Sequence, residues 1–181
     1  MPGTSEAVSE GAPEPVRFLI PSPIGVLGIE SIDDLCTEFV IVPLGRKRDS
    51  FIPFAKAKRS ESLDDTLGKL SEYFAGARRD LRLRFDLSLY DLDSFSQRVL
   101  RQTARIQYGD TKTYQQIASA AGKPDAYRNV LAILMANPLP IIIPCHRVVT
   151  AKSGIGSYVA GTRKKDWLLR MENRASTSGR F

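Results

Sequence analysis

The chain has 181 residues, 43% of them hydrophobic, with 26 Lys or Arg against 20 Asp or Glu and a formal charge of +6. That length allows one domain or two small ones, and that apolar content excludes a wholly disordered chain. No apolar run is long enough for a membrane-spanning helix, and two cysteines, Cys36 and Cys145, exclude a disulfide framework and fit a reducing, intracellular compartment.

Residues 1–15 lack the basic start and apolar stretch of a secretory signal. Their Gly, Ser, Pro and Glu content predicts a disordered leader. VRFLI and GVLGIES flank Pro21-Ser22-Pro23-Ile24, which predicts two strands joined by a tight turn. LCTEFVIVPL predicts a third strand, with Cys36 as a buried structural thiol. The basic stretch Phe51 to Arg59 reads as a loop. Leu63, Leu67, Leu70 and Phe74 recur at helical spacing, and Gly76 can end that helix. LRLRF alternates like an edge strand. Residues 16–90 thus read as a small α/β support domain with no catalytic constellation.

Beyond a linker near Leu87–Asp93, residues 93–173 read as a second, mainly helical domain, and 174–181 as a tail. Asp93 or Ser94 can cap a helix running through Phe95, Val99, Thr103 and Ile106. Gly109-Asp110 is a turn. Thr113 can cap a short helix, YQQIASAA, closed by Gly122. Asp125 is the expected cap of a second helix, Ala126 to Ala136, which stops before Asn137-Pro138. Helix, glycine-containing turn and helix form the pattern of a helix-turn-helix. Residues 1–92 hold 15 acids against 12 bases, whereas 93–173 hold 12 bases against 5 acids. That asymmetry points to nucleic acid as partner, with a solvated basic surface as the alternative.

PLPIIIPCHRVV is the most informative segment. An apolar run ends at Pro144 and delivers Cys145 at once, beside the single histidine, His146, and Arg147. A thiol attacks carbon as the thiolate, which a neighbouring base or positive charge promotes. The competing reading is a buried cysteine that ends a strand. On an extended segment neighbouring side chains face opposite ways, so His146 would reach Cys145 through a water. A carboxylate is needed to orient the imidazole. Asp166 and Glu172 both qualify on spacing, and Trp167, Leu168 and Met171 form a stripe that packs the last helix down. A lone Cys-His pair cannot supply four ligands, so no structural zinc is expected.

These residues resemble the O6-alkylguanine-DNA alkyltransferase family from about Phe95 to Glu172. The resemblance rests on TYQQIA from Thr113, Arg128, Asn137-Pro138, IPCHRVV from Ile143, the loop GIGSY and KKDWLLRME. SPIG and YFAG extend it less specifically into the first half. It implies a ribonuclease H-like α/β domain with a small sheet and helix, followed by a mainly α domain with a helix-turn-helix. It implies irreversible transfer of an alkyl group from O6-alkylguanine, with O4-alkylthymine as a further candidate, onto Cys145. One turnover per molecule follows, without cofactor or metal. His146 is then the base through a water, Glu172 its orienting carboxylate, and Asn137 the brace of the turn. Tyr114 faces the flipped guanine, and Arg128 enters the base stack. Thr113, Gln115, Tyr127 and Asn129 lie at the DNA face. Val148, Tyr158, Val159 and Ala160 line the pocket, Val148 through its carbonyl. The partner is double-stranded DNA carrying the lesion, met by a monomer or by several molecules along the DNA.

The chain departs from the family in two places. The second helix of the pair is usually built from small residues, but here carries Tyr127, Asn129, Leu131 and Ile133. Val159 stands where serine or glycine is usual, and Ala160 where glycine is usual. Two other functions remain open on sequence: a non-catalytic lesion-binding protein, and a helix-turn-helix regulator that responds to cysteine alkylation. Cys145 argues against the first, and the lack of an evident dimerisation element against the second.

Overall fold

A computed structural model describes residues 15–32, 35–42, 51–53, 61–151 and 154–177. The expected leader at 1–14, the greater part of the basic stretch 54–59 and the end of the tail at 178–181 lie outside the described residues. Strands β1 (Val16–Ser22) and β2 (Gly25–Ile32) form the expected hairpin, and β3 (Leu35–Val42) pairs antiparallel with β2. Gly25 takes φ +115, a conformation open to glycine and closed to most side chains, and so closes the hairpin. A two-residue strand, β4 (Ile52–Pro53), runs parallel to β1, giving the order β3-β2-β1-β4. It falls where a loop was expected, because two residues are too few to show an alternating pattern.

Helix α1 (Glu61–Phe74) follows, with Leu63, Leu70 and Tyr73 buried. Gly76, at φ +74, follows its C-terminal end. Phe18, Leu27, Ile29 and Phe39 are fully buried and belong with these helix residues to one continuous core. LRLRF is not an edge strand. Only Arg84 bridges to Leu35, and Arg82 sits at φ +46, which breaks an extended run. Cys36 is buried, as expected, and burial pushes its thiol up to about 12.

Helix α2 (Ser94–Ala104) is capped by Asp93, whose carboxylate accepts from Ser96 N at 2.7 Å. Ile106 lies just beyond it and is buried. A short strand, β5 (Lys112–Thr113), leads into α3 (Tyr114–Ala120). Thr113 and Gln116 make a reciprocal capping box there, and Gly122 follows at φ +84. Helix α4 (Tyr127–Met135) starts from Ala126 without a side-chain cap, so Asp125 lies one residue too early for the role expected of it. Strand β6 (Val148–Val149) pairs parallel with β5, and α5 (Thr162–Thr177) closes the chain. The result is a small sheet with a helix, followed by a largely helical half. Among the described residues no helix is long and apolar enough to cross a membrane.

Candidate active site

The segment Leu139 to Arg147 is not an extended run into the interior. Ile141 adopts φ +78, a strained value for a β-branched residue, and the chain folds back so that Pro140 bridges to Ile143. Cys145–Arg147 then form one 3-10 turn. The alternation of side chains expected for an extended segment therefore does not apply. The turn instead sends three consecutive side chains, all buried, inward, Cys145 to Asn137 and both His146 and Arg147 to Glu172.

Asn137, just beyond α4, ties this turn together. Its Nδ2 donates to the Ile143 carbonyl at 2.9 Å and to Cys145 Sγ at 3.1 Å, and its Oδ1 accepts from Leu139 N at 3.0 Å. One amide thus holds the thiol and both flanks of the reversal. Cys145 is only 3% exposed. Burial pushes its thiol up to about 11, although the Asn137 hydrogen bond and the Lys165 charge both pull it down. The resting group is a thiol.

His146 is wholly buried, and its Nε2 lies 2.9 Å from Glu172 Oε1. Burial lowers its pKa against the opposing pull of Glu172, so the ring is neutral at pH 7. With Nε2–H donating to the carboxylate, the lone pair sits on Nδ1, which has no partner among the described residues. The neutral ring therefore carries an available base on the side away from Glu172. Of the two acids open on spacing, Asp166 pairs with Arg170 and Glu172 meets His146.

Glu172 also accepts from Tyr73 Oη at 2.6 Å, from Gly109 N at 3.2 Å, and from Arg147. Burial alone would raise its pKa. The hydrogen bonds from His146 and Arg147, with the Arg147 charge, outweigh that and hold the carboxyl far below its usual range. Tyr73 was not singled out from sequence, and Arg147 reads there only as a positive charge beside the thiol. Tyr73 lies 99 residues from Glu172 in the chain, and no local pattern marks it. The Arg147 guanidinium instead turns to Glu172 and is buried there, with Nη1 donating to Ile106 O at 2.7 Å.

Lys165 was also missed. It is fully buried, and its Nζ donates to Val148 O at 2.6 Å and Ser157 O at 3.0 Å. Burial lowers its pKa to about 8, against the Cys145 charge that raises it. It joins the segment after the thiol to the GIGSY loop. The ring of Tyr114 lies 5.8 Å from the same Nζ. The Tyr114 hydroxyl donates weakly to Ser157 O at 3.4 Å, and Gly156 packs against it so tightly that a Cβ there would sit 3.0 Å from that oxygen. Tyr158 is buried with a hydroxyl that has no partner among the described residues, and its ring lies edge-on to His146 at 6.2 Å.

Cys145, His146, Glu172, Asn137, Tyr114, Val148 and Tyr158 are therefore brought to one buried centre. Val159 is exposed and Ala160 half-buried, and with Asn137 they line a groove of about 680 Å³ against β3. Thr113, Gln115, Tyr127 and Arg128 line a second hollow, of about 310 Å³, over α3 and α4. Asn129 is exposed on α4 and lines neither.

Residues 94–174 match the DNA binding domain of 6-O-methylguanine DNA methyltransferase. A methylated-DNA–protein-cysteine methyltransferase of Methanosarcina barkeri is 33% identical over 162 residues, covering 85% of this chain and 94% of that protein. The chain belongs to this methyltransferase family. A probable methylated-DNA–protein-cysteine methyltransferase of Acanthamoeba polyphaga mimivirus is 38% identical over 123 residues, covering 68% of this chain and 80% of its own. The crystal structure of the Mycobacterium tuberculosis O6-methylguanine methyltransferase superposes with a TM-score of 0.76 at 30% identity, over 90% of this chain and 94% of that one. A structure of the M. tuberculosis protein in complex with DNA gives 0.76 at 31%, over 88% and 93%.

Proposed function

We propose that this protein repairs DNA by direct reversal, moving an alkyl group from O6 of guanine to its own Cys145. The observation that carries the reading is the thiol itself. It is buried and fixed by Asn137, and it shares one turn with a neutral histidine backed by Glu172. Membership of the methyltransferase family supports the same chemistry.

The reacting oxygen lies inside a stacked duplex, so the nucleotide has to be extruded into the protein. Extrusion costs a few kcal/mol. Arg128, exposed on α4, offsets that cost by entering the gap. Helices α3 and α4 act as the helix-turn-helix, with Thr113, Gln115, Tyr127 and Asn129 beside Arg128 at the DNA. The strand order β3-β2-β1-β4 supports a ribonuclease H-like support domain at 16–90, with 93–173 as the DNA-facing domain.

In the reaction, His146 Nδ1 receives the thiol proton through a water. Cys145 Sγ attacks the alkyl carbon as the carbon–O6 bond breaks, and the electron pair stays on guanine. Tyr114 donates toward N3, and the Val148 carbonyl, with Tyr158, Val159 and Ala160, shapes the pocket. Val159 lacks a hydroxyl, which leaves backbone N–H groups as the donors near O6. The product thioether is not readily cleaved by water or imidazole, so each molecule acts once. The substrate is lesion-bearing double-stranded DNA, met by one protein molecule at a time.

The test is an intact mass after mixing with a duplex holding one O6-methylguanine. A gain of one methyl, absent in Cys145→Ala, supports transfer. Tight lesion binding with no gain would leave a lesion-binding protein. Binding to one particular undamaged sequence would favour a regulator. Arg128→Ala is expected to lower transfer from duplex more than reaction with a free O6-alkylguanine base, and equal losses would remove the insertion role.

A further inference from the structure

Arg128 has a neighbour that its proposed insertion does not explain. Tyr127 opens α4 and is 43% exposed, more than any large apolar or aromatic side chain among the described residues except Leu89. The guanidinium carbon of Arg128 lies 5.6 Å from the centroid of the Tyr127 ring, so the charge rests over one face of it. Both residues line the hollow shared with Tyr114 and Leu131, whose walls are almost wholly apolar. Leu131 is four residues further on and so on the same face of α4, which continues the apolar surface beyond the ring.

We propose that Tyr127 is a stacking platform for an unpaired nucleobase, covered by Arg128 until DNA is engaged. The proposal rests on the reading that α4 faces DNA, and names the ligand of that surface. An exposed cation–π contact is weak, whereas stacking of a base on an aromatic ring is stronger and tolerates any base, because every base has a π face. Moving Arg128 into the duplex therefore uncovers a ring on which a base binds more firmly than the guanidinium did. Extruding a nucleotide supplies candidates: the base it was paired with, and its neighbours on the opened strand. The recognition uses the ring and not the hydroxyl. It makes no demand for a complementary strand, so it extends to single-stranded DNA.

The experiment uses the full-length chain and its Tyr127→Ala and Tyr127→Phe variants. Affinity is measured for a single-stranded oligonucleotide, and fluorescence for duplexes with 2-aminopurine opposite O6-methylguanine or one step to its side. Tyr127→Ala is expected to lose about thirtyfold in single-strand affinity, the middle of the range for one base on one ring. Tyr127→Phe is expected to restore it. Fluorescence of 2-aminopurine, quenched by stacking in the free duplex, should stay low when the parent protein opens the helix and rise with Tyr127→Ala, and the position at which the two differ identifies which base is held. Equal affinity and equal fluorescence for parent and Tyr127→Ala would overturn the platform. Absence of methyl transfer by the parent would instead overturn the proposed function, while the fluorescence comparison still decides the stacking.

Discussion

The Arg147 guanidinium grips both oxygens of Glu172, with Nε 3.0 Å from Oε2 and Nη2 2.9 Å from Oε1. A two-pronged pair of this kind fixes the carboxylate in one plane, and His146 reads its orientation from that plane. Removing one charge from a buried pair leaves the other uncompensated, at a cost of about 3–5 kcal/mol. Glu172→Gln is therefore expected to lower the unfolding free energy by that order in urea titration and to slow methyl transfer.

Asn137→Ala removes the amide that accepts from Leu139 N, shares Ile143 O with Cys145 N, and touches the thiol. Leaving the buried Leu139 N without its partner costs about 1–3 kcal/mol. The variant should be clearly destabilised in urea. The thiol of Cys145 should also become harder to ionise, because this hydrogen bond lowers its pKa. Iodoacetamide labelling followed against pH reads that shift, and an unchanged profile would contradict it.

The same labelling applies to the parent protein. With its thiol pushed up to about 11, Cys145 should label slowly at pH 7. The rate should climb about tenfold per pH unit through pH 9, as the thiolate fraction does below its pKa. In denaturant the profile should level off near the ordinary thiol value of about 8.5. A plateau near neutral pH in the native protein would mean that the resting group is a thiolate.

Stability should fall on the acid side in two stages. His146 has a folded pKa below its ordinary 6.5, so the unfolded chain takes up that proton first. Stability held above pH 6.5 is lost as pH falls below it, by up to about 1.4 kcal/mol per pH unit for one proton. Glu172 is also held below its ordinary 4.5, so its contribution is present above that value and lost as pH falls past it. Urea midpoints from pH 8 to pH 3 follow both stages. His146→Asn should abolish the upper one and keep the lower.

What the sequence disclosed follows from the range of each interaction. The β1–β2 hairpin, α1, the Asp93 cap and the Thr113 capping box are set by residues a few positions apart, and their patterns stand in the sequence. The Cys145-His146 pair was legible because it is adjacent. The clasp on Glu172 was not, since Tyr73, Gly109 and Arg147 come from three distant elements. Lys165 hid for another reason: a lysine on an amphipathic helix ordinarily faces water, and only the fold reveals two carbonyls awaiting its ammonium. The reversal at Ile141 was misread as a straight approach because a β-branched run favours extension.

Strand β3 lies at the edge of its sheet, and such an edge is a template for pairing with another chain. Here three of its backbone groups are already taken. Cys36 N donates to Arg84 O, Thr37 O accepts from Tyr90 Oη, and Phe39 N donates to Pro138 O, the residue after Asn137. Two of these partners lie between the sheet and α2, and the third belongs to the loop that holds the thiol. A cut between the halves would thus uncover Phe39 N at the strand edge on one fragment and loosen the reactive loop on the other. Protection from aggregation and placement of Cys145 depend on the same contact, so damage to either is felt by both.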